Sequence, residues 1–128
     1  DRPRAEARLA RELATQRERG VAYWPIFDRE RGALVGCAGM RPREAVSGMY
    51  ELGLALLPPW HGLGLATEAG RAVVAFAFGR LGAQTLFAGH HPDNHASRHV
   101  LEKLGFRHTH DELYAPTGAM HPSYSLAR

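Results

Sequence analysis

Cysteine is nearly absent from this chain. Cys37 stands alone among 128 residues, so no disulfide framework can form within it, and a reducing cytoplasm is the expected setting. Lysine is equally scarce: of the 16 Lys and Arg residues only Lys103 is lysine. The arginines are scattered rather than massed, no zinc-finger or helix-turn-helix spacing occurs, and the net charge of +3 is mild. A nucleic-acid partner is therefore not expected. No apolar run approaches the roughly 18 residues of a membrane span, and the charged opening DRPRAEARLARE is not a signal peptide, so no membrane partner is expected either. Eight histidines raise the question of a metal, yet no HExxH occurs and no cysteine neighbours them. His95 and His99, four apart on one expected helix and preceded by His90 and His91, read as surface or site-lining groups, and no metal is expected. Repeats and low-complexity segments are missing too.

What remains is an ordinary globular composition, 45% hydrophobic and 23% charged, in a chain long enough for one domain with a substantial core. The first residue is Asp rather than Met, so a processed or truncated chain is expected. Residues 4–19 are rich in helix formers with a thin apolar stripe. Residues 21–27 (VAYWPIF), 33–40 and 49–57 read as strands, Pro25 pushing the first toward an edge. The connections are too short for crossover helices, so these three form an antiparallel meander. A strongly apolar helix follows over 66–82, with Ala69, Ala72, Val73, Phe76, Ala77 and Arg80 at helical spacing, then a buried strand over 83–90. A short helix over 94–105 opens on an Asn cap and closes at Gly105. Two strands, 106–114 and 122–128, are joined by the hairpin loop APTGAM. Tyr124 reads as core. The fold class is mixed α/β, with one parallel crossover from 49–57 to 83–90 through the helix at 66–82.

The stretch LPPWHGLGLATEAG (57–70) begins a helix with two prolines and two glycines, the poorest helix formers. A strand feeding directly into a helix aims that helix's free N–H groups, and the positive end of its macrodipole, past the strand tip. Bare glycine backbone there admits a phosphate. The turn holds no lysine, unlike a nucleotide triphosphatase P-loop, and lacks the third glycine of a dinucleotide-binding fingerprint. A plain tight turn using glycine for positive φ is the other reading. A second segment, NHASRHVLEKLGF (94–106), places Asn94 and Ser97 at the mouth of another helix. Neighbouring parallel strands bring both mouths to one end of the sheet, where ligands bind in open sheets.

The two segments together resemble the GNAT N-acetyltransferases, and most nearly the branch that acetylates N-terminal alanine or serine of ribosomal proteins. That family's phosphate-binding turn, (Gln/Arg)-x-x-Gly-x-(Gly/Ala), lands on His61, Gly64 and Ala66, with His61 departing from Gln or Arg. The resemblance covers about residues 21–128. It implies a single acetyltransferase domain over 1–128 that lacks the family's N-terminal strand and first helix. The implied sheet is central, mixed and mostly antiparallel, with flanking helices and a splayed parallel strand pair at the cofactor site.

It also implies acetyl transfer from acetyl-coenzyme A, as cosubstrate, to a primary amine of a protein N-terminus or small molecule by direct attack, in a monomer or homodimer of bacterial type. By resemblance, Ala55, Leu56 and Leu57 offer backbone to the pantetheine arm, one N–H polarising the thioester carbonyl. Gly62, Leu63, Gly64, Leu65, Ala66 and Thr67 hold the pyrophosphate, and Asn94 contacts the arm near the thioester. Glu51, on the strand that carries the thioester site, is the candidate base for the protonated amine. Many members protonate the leaving thiolate with a Tyr whose place is Leu101 here, which leaves Ser97 as the candidate acid. His108, His110 and Glu112 are expected on one face of a strand, lining the acceptor pocket or a solvated edge, with Tyr114 in a hairpin that closes over the acceptor. A non-catalytic acyl-coenzyme A-binding or regulatory domain on the same fold is the alternative.

Overall fold

The structure, a computed structural model, describes residues 23–43 and 48–128. The helix expected over 4–19 and the first two residues of the strand expected over 21–27 lie outside them. The described elements are β1 (Tyr23–Phe27), β2 (Leu34–Pro42), β3 (Met49–Leu56), a single 3-10 turn (Pro58–Trp60), α1 (Leu65–Gly79), β4 (Thr85–Gly89), α2 (His95–Lys103), β5 (Arg107–Tyr114) and β6 (Ala119–Ala127). The strands form one sheet in the order β1-β2-β3-β4-β6-β5. Its pairs are antiparallel except β3–β4, which is parallel and connected through α1. This is the expected mixed, mostly antiparallel sheet with flanking helices. Pro25 is tolerated because β1 lies at the sheet edge, where a missing N–H interrupts no ladder.

Strand alternation gives the sheet two faces. One is the helix face: Met40, Leu52 and Leu86 from the strands pack with Val73 and Ala77 of α1 and Leu101 of α2 in one buried cluster. The ring of Trp24 in β1 meets Phe76 edge-on at 5.5 Å, tying the sheet edge to α1. The other face, termed the open face because no described helix packs on it, carries Tyr23, Arg41, Glu51 and Phe87 by the same alternation. Arg41 stacks on Tyr23, its guanidinium carbon 4.7 Å from the ring centroid.

Two expected boundaries move by three residues, each for a local reason. Helix α1 stops at Gly79, with Arg80 as its C-cap, because Gly82 turns the chain with φ 67°. Its buried line is Thr67, Gly70, Val73 and Ala77, rotated from the expected stripe, and Ala72 is exposed. Strand β6 begins at Ala119 rather than 122, leaving residues 115–118 as the hairpin loop. Pro122 disguised that start, since proline inside a run reads as a strand breaker. It is accommodated because β4 pairs with β6 only as far as Gly89↔Ser123.

Candidate active site

The parallel ladder between β3 and β4 consists of three pairs, Met49↔Thr85, Tyr50↔Leu86 and Glu51↔Phe87. Beyond them the strands part. Residues Leu52 to Leu56 stay paired with β2, and Ala88 and Gly89 with β6, so a wedge opens between two strands of one sheet. The phase of the β2–β3 ladder decides which backbone groups face it. The Arg43 N–H donates to the Met49 carbonyl at 2.9 Å, and the Leu57 N–H to the Val35 carbonyl at 2.8 Å. Residues 49 and 57 are therefore in phase. In an antiparallel ladder the odd-numbered residues of β3 turn N–H and C=O to β2, and the even-numbered ones turn theirs away. Of the three residues expected at the pantetheine arm, Leu56 thus faces the wedge. Ala55 and Leu57 direct their N–H groups to β2, and the Leu57 carbonyl accepts from Trp60 at 2.9 Å. Leu54, not among those three, faces the wedge as well.

The glycine turn stands at the mouth of this wedge. After Pro58–Trp60, the His61 side chain folds back: its Nε2 lies 2.8 Å from the Leu56 carbonyl. Because a carbonyl only accepts, the ring donates from Nε2. Gly62 and Gly64 hold φ 77° and 76°. Gly64 is the left-handed N-cap of α1, and no side chain caps that helix. A Cβ at either glycine would meet nothing within 4 Å, so the backbone borders open space. Leu63 is exposed, Leu65 and Ala66 are half-buried and Thr67 is buried. An uncapped helix start beside unobstructed backbone suits a pyrophosphate, and the wedge-facing peptide groups suit an extended amide arm. The residues present fit acetyl-coenzyme A.

The second helix mouth is built differently. Asn94 caps α2, its Oδ1 accepting the Ser97 N–H at 3.0 Å. The two residues singled out at this mouth are thus bonded to each other, with Asn94 exposed and Ser97 half-buried. Leu101, which the resemblance sets at the place of a thiolate-protonating tyrosine, is buried in the core at 5% exposure.

Glu51 is exposed on the open face. It is the last β3 residue before the strands part, paired with Phe87 on one side and opposite Arg41 on the other. Arg43 lays its guanidinium over Phe87, 4.1 Å from the ring centroid, and reaches Glu112 of β5 at 3.3 Å. His110 donates to the same Glu112 Oε1 at 2.8 Å. The hydrogen bond from His110 foremost, and the charge of Arg43, hold the Glu112 carboxyl below its usual range. The expectation that His108 shares this face is corrected. The β5–β6 register passes from His108↔Tyr124 to His110↔Ser123, leaving Thr109 as a bulge whose hydroxyl donates to the Ser123 carbonyl at 3.1 Å. His108 consequently turns to the helix face, edge-on to Tyr124 at 5.5 Å, while His110 and Glu112 turn to the open face. Tyr114 lies tilted over His121 at 4.7 Å and His121 meets His91 edge-on at 5.3 Å, so the hairpin touches the loop that follows β4.

Among the described residues no group of three or more His, Cys, Asp or Glu is arranged to hold a metal ion, and no helix is long and apolar enough to cross a membrane. Sequence reasoning missed the His61 bond to Leu56, the Arg43–Glu112 pair and a buried hydrogen bond between His90 and Tyr124. The last two join elements far apart in the chain, for which spacing gives no signal, and the first depends on how the turn after β3 folds back.

The sequence profile of the acetyltransferase (GNAT) domain matches residues 1–107, and the chain belongs to that family. It is 32% identical over 92 residues to the Bacillus subtilis N-acetyltransferase YoaA, itself uncharacterized, covering 72% of this chain and 51% of that protein. The chain thus spans about half the length of this curated relative. Among solved structures, an acetyltransferase from Agrobacterium tumefaciens matches all of this chain and 73% of its own at 26% identity, with a TM-score of 0.78. A ribosomal-protein-S5-alanine acetyltransferase from Vibrio fischeri matches 94% of this chain and 69% of its own, with a TM-score of 0.82. At 17% identity that last likeness concerns the fold.

Proposed function

We propose that this chain transfers an acetyl group from acetyl-coenzyme A to a primary amine, of a protein N-terminus or a small molecule, by direct attack. The observation that carries the reading is the wedge after Glu51↔Phe87 opening onto the uncapped start of α1 at Gly64. Backbone N–H groups from Gly62 to Thr67 bind the pyrophosphate, and the peptide groups of Leu54 and Leu56 bind the pantetheine arm, with Asn94 across the wedge. An N–H of β3 facing the wedge polarises the thioester carbonyl.

Acetyl-coenzyme A supplies the activated acyl group; the chain supplies position and proton movement. An α-amine arrives protonated, with a reference pKa near 8, and a lysine-type amine nearer 10. Glu51, exposed where the strands part, accepts that proton directly or through a water. Ser97, in the first turn of α2, returns a proton to the departing thiolate. The open face, with Phe87, Arg43 and Glu112, receives the acceptor.

Calorimetric titration with acetyl-coenzyme A, and with coenzyme A in parallel, tests the cofactor site. Micromolar binding is expected. A panel of amines read by free-thiol release then separates an enzyme from a domain that binds acyl-coenzyme A without turnover. A folded sample that binds neither ligand overturns the proposal.

A further inference from the structure

A buried side-chain pair lies beside the wedge and takes no part in the chemistry above. His90, the residue after β4, is 8% exposed, and Tyr124 of β6 is 4% exposed. His90 Nδ1 lies 2.7 Å from the His91 carbonyl, which only accepts, so Nδ1 carries the hydrogen. In the neutral ring Nε2 is then an acceptor, and the Tyr124 hydroxyl donates to it at 3.1 Å. The His91 carbonyl also accepts the Asn94 N–H at 2.9 Å. One oxygen thus joins the imidazole to the residue that caps α2, and Asn94 in turn holds the Ser97 N–H at 3.0 Å.

The bonds form an unbroken chain from the sheet to the helix mouth: Tyr124, His90, the His91 carbonyl, Asn94, Ser97. Loop 90–94 has one further internal tie, the Asp93 N–H donating to His91 Nδ1 at 3.1 Å. Within this chain of bonds, the His90 link to Tyr124 is the one that fastens the loop to the sheet.

We infer that His90 and Tyr124 are positioning residues that fix Asn94 and Ser97 at the coenzyme wedge. The inference rests on the acetyl-coenzyme A reading of that wedge. Neither side chain touches the coenzyme; both act through the His91 carbonyl. Asparagine can offer its side-chain N–H near the place of Nδ1 and has no atom at the place of Nε2, so His90→Asn keeps the donor to His91 and loses the link to Tyr124, whereas His90→Leu removes both bonds.

The test is titration of the full chain and three variants with coenzyme A, well below each melting temperature. His90→Leu is expected to weaken binding about tenfold, the scale of one lost buried hydrogen bond, and His90→Asn several-fold, since it loses only the link to Tyr124. Amide hydrogen exchange at Asn94 and Ser97 should quicken in His90→Leu, and to a smaller extent in His90→Asn and Tyr124→Phe. Tyr124→Phe, which keeps the packing and deletes the hydroxyl, should weaken binding several-fold; it keeps the test decisive if His90→Leu does not fold. Binding by folded His90→Leu or Tyr124→Phe within twofold of the parent overturns the inference. So does full parental binding by His90→Asn, which would mean that the link to Tyr124 fastens nothing. A folded parent that fails to bind coenzyme A overturns the proposed function itself, and that failure is seen without any variant.

Discussion

Gly64→Ala separates the two reasons a glycine can stand at the start of α1. At φ 76° an added Cβ strains the backbone by about 1–2 kcal/mol, and it meets no atom within 4 Å, so no clash adds to that figure. For a chain of 128 residues this lowers the melting temperature by about 4–7 °C. Gly118, in the β5–β6 loop, has φ 71° and equally open surroundings. Gly118→Ala therefore carries the same strain far from the wedge and serves as its control. If the turn holds a pyrophosphate, the Cβ of Gly64→Ala obstructs hydrogen bonds to a charged group, each worth about 1.5–3 kcal/mol. Coenzyme A should then bind at least tenfold more weakly to Gly64→Ala and unchanged to Gly118→Ala, as measured by calorimetry, while both melt alike. Binding by Gly64→Ala within twofold of the parent would refute the phosphate reading. Equal loss in both variants would trace the effect to general destabilisation.

Asn94→Asp should keep the cap on Ser97 and the melting temperature, since Asp caps as well as Asn, yet weaken coenzyme A binding; Asn94→Ala should also cost about 1 kcal/mol of stability. Met40 is fully buried at the centre of the helix face, so Met40→Ala should destabilise by about 2–5 kcal/mol in urea titrations. Glu112 has its folded pKa lowered from 4.5 by His110 and Arg43. Its contribution is whole above that ordinary value and is lost as pH falls through the lowered one. The group is half exposed, so Glu112→Gln should flatten the acid limb of melting temperature against pH by an amount worth less than about 1 kcal/mol. Burial raises the Tyr124 pKa above 10. The stability it carries is whole below pH 10 and is lost as pH rises toward the raised value, so Tyr124→Phe should blunt the alkaline loss.

The fold was legible because local signals agreed: glycine and proline punctuate the chain at nearly every boundary, and the apolar periods separate strands from helices. Pro122 shows where such punctuation misleads. It reads as a loop residue in isolation, and only the register shows that β4 has ended before it. The glycine turn and the α2 cap were visible because each is a contiguous segment with its own backbone demands. Which β3 residues face the wedge was not, because that depends on the phase of hydrogen bonds to β2, and residues 54–57 are all apolar. His108 and His110 were placed together by a strict period of two, which a single bulged residue breaks. Arg43 and Glu112 are 69 residues apart, and nothing in either neighbourhood announces the pair.

That bulge at Thr109 has a wider consequence. Ahead of it β5 turns His108 to the helix face, edge-on to Tyr124; beyond it, the strand turns His110 and Glu112 to the open face. One residue of offset makes a single strand serve two regions that can change independently. Under the proposed acetyl transfer, substitutions at 110, 112 and 114 would change the acceptor's surroundings and leave the helix face as it is. Deleting Thr109, by contrast, would restore a regular ladder: His108 and His110 would become neighbours and keep their opposite faces, and only the local twist and the Thr109 bond to Ser123 would be lost.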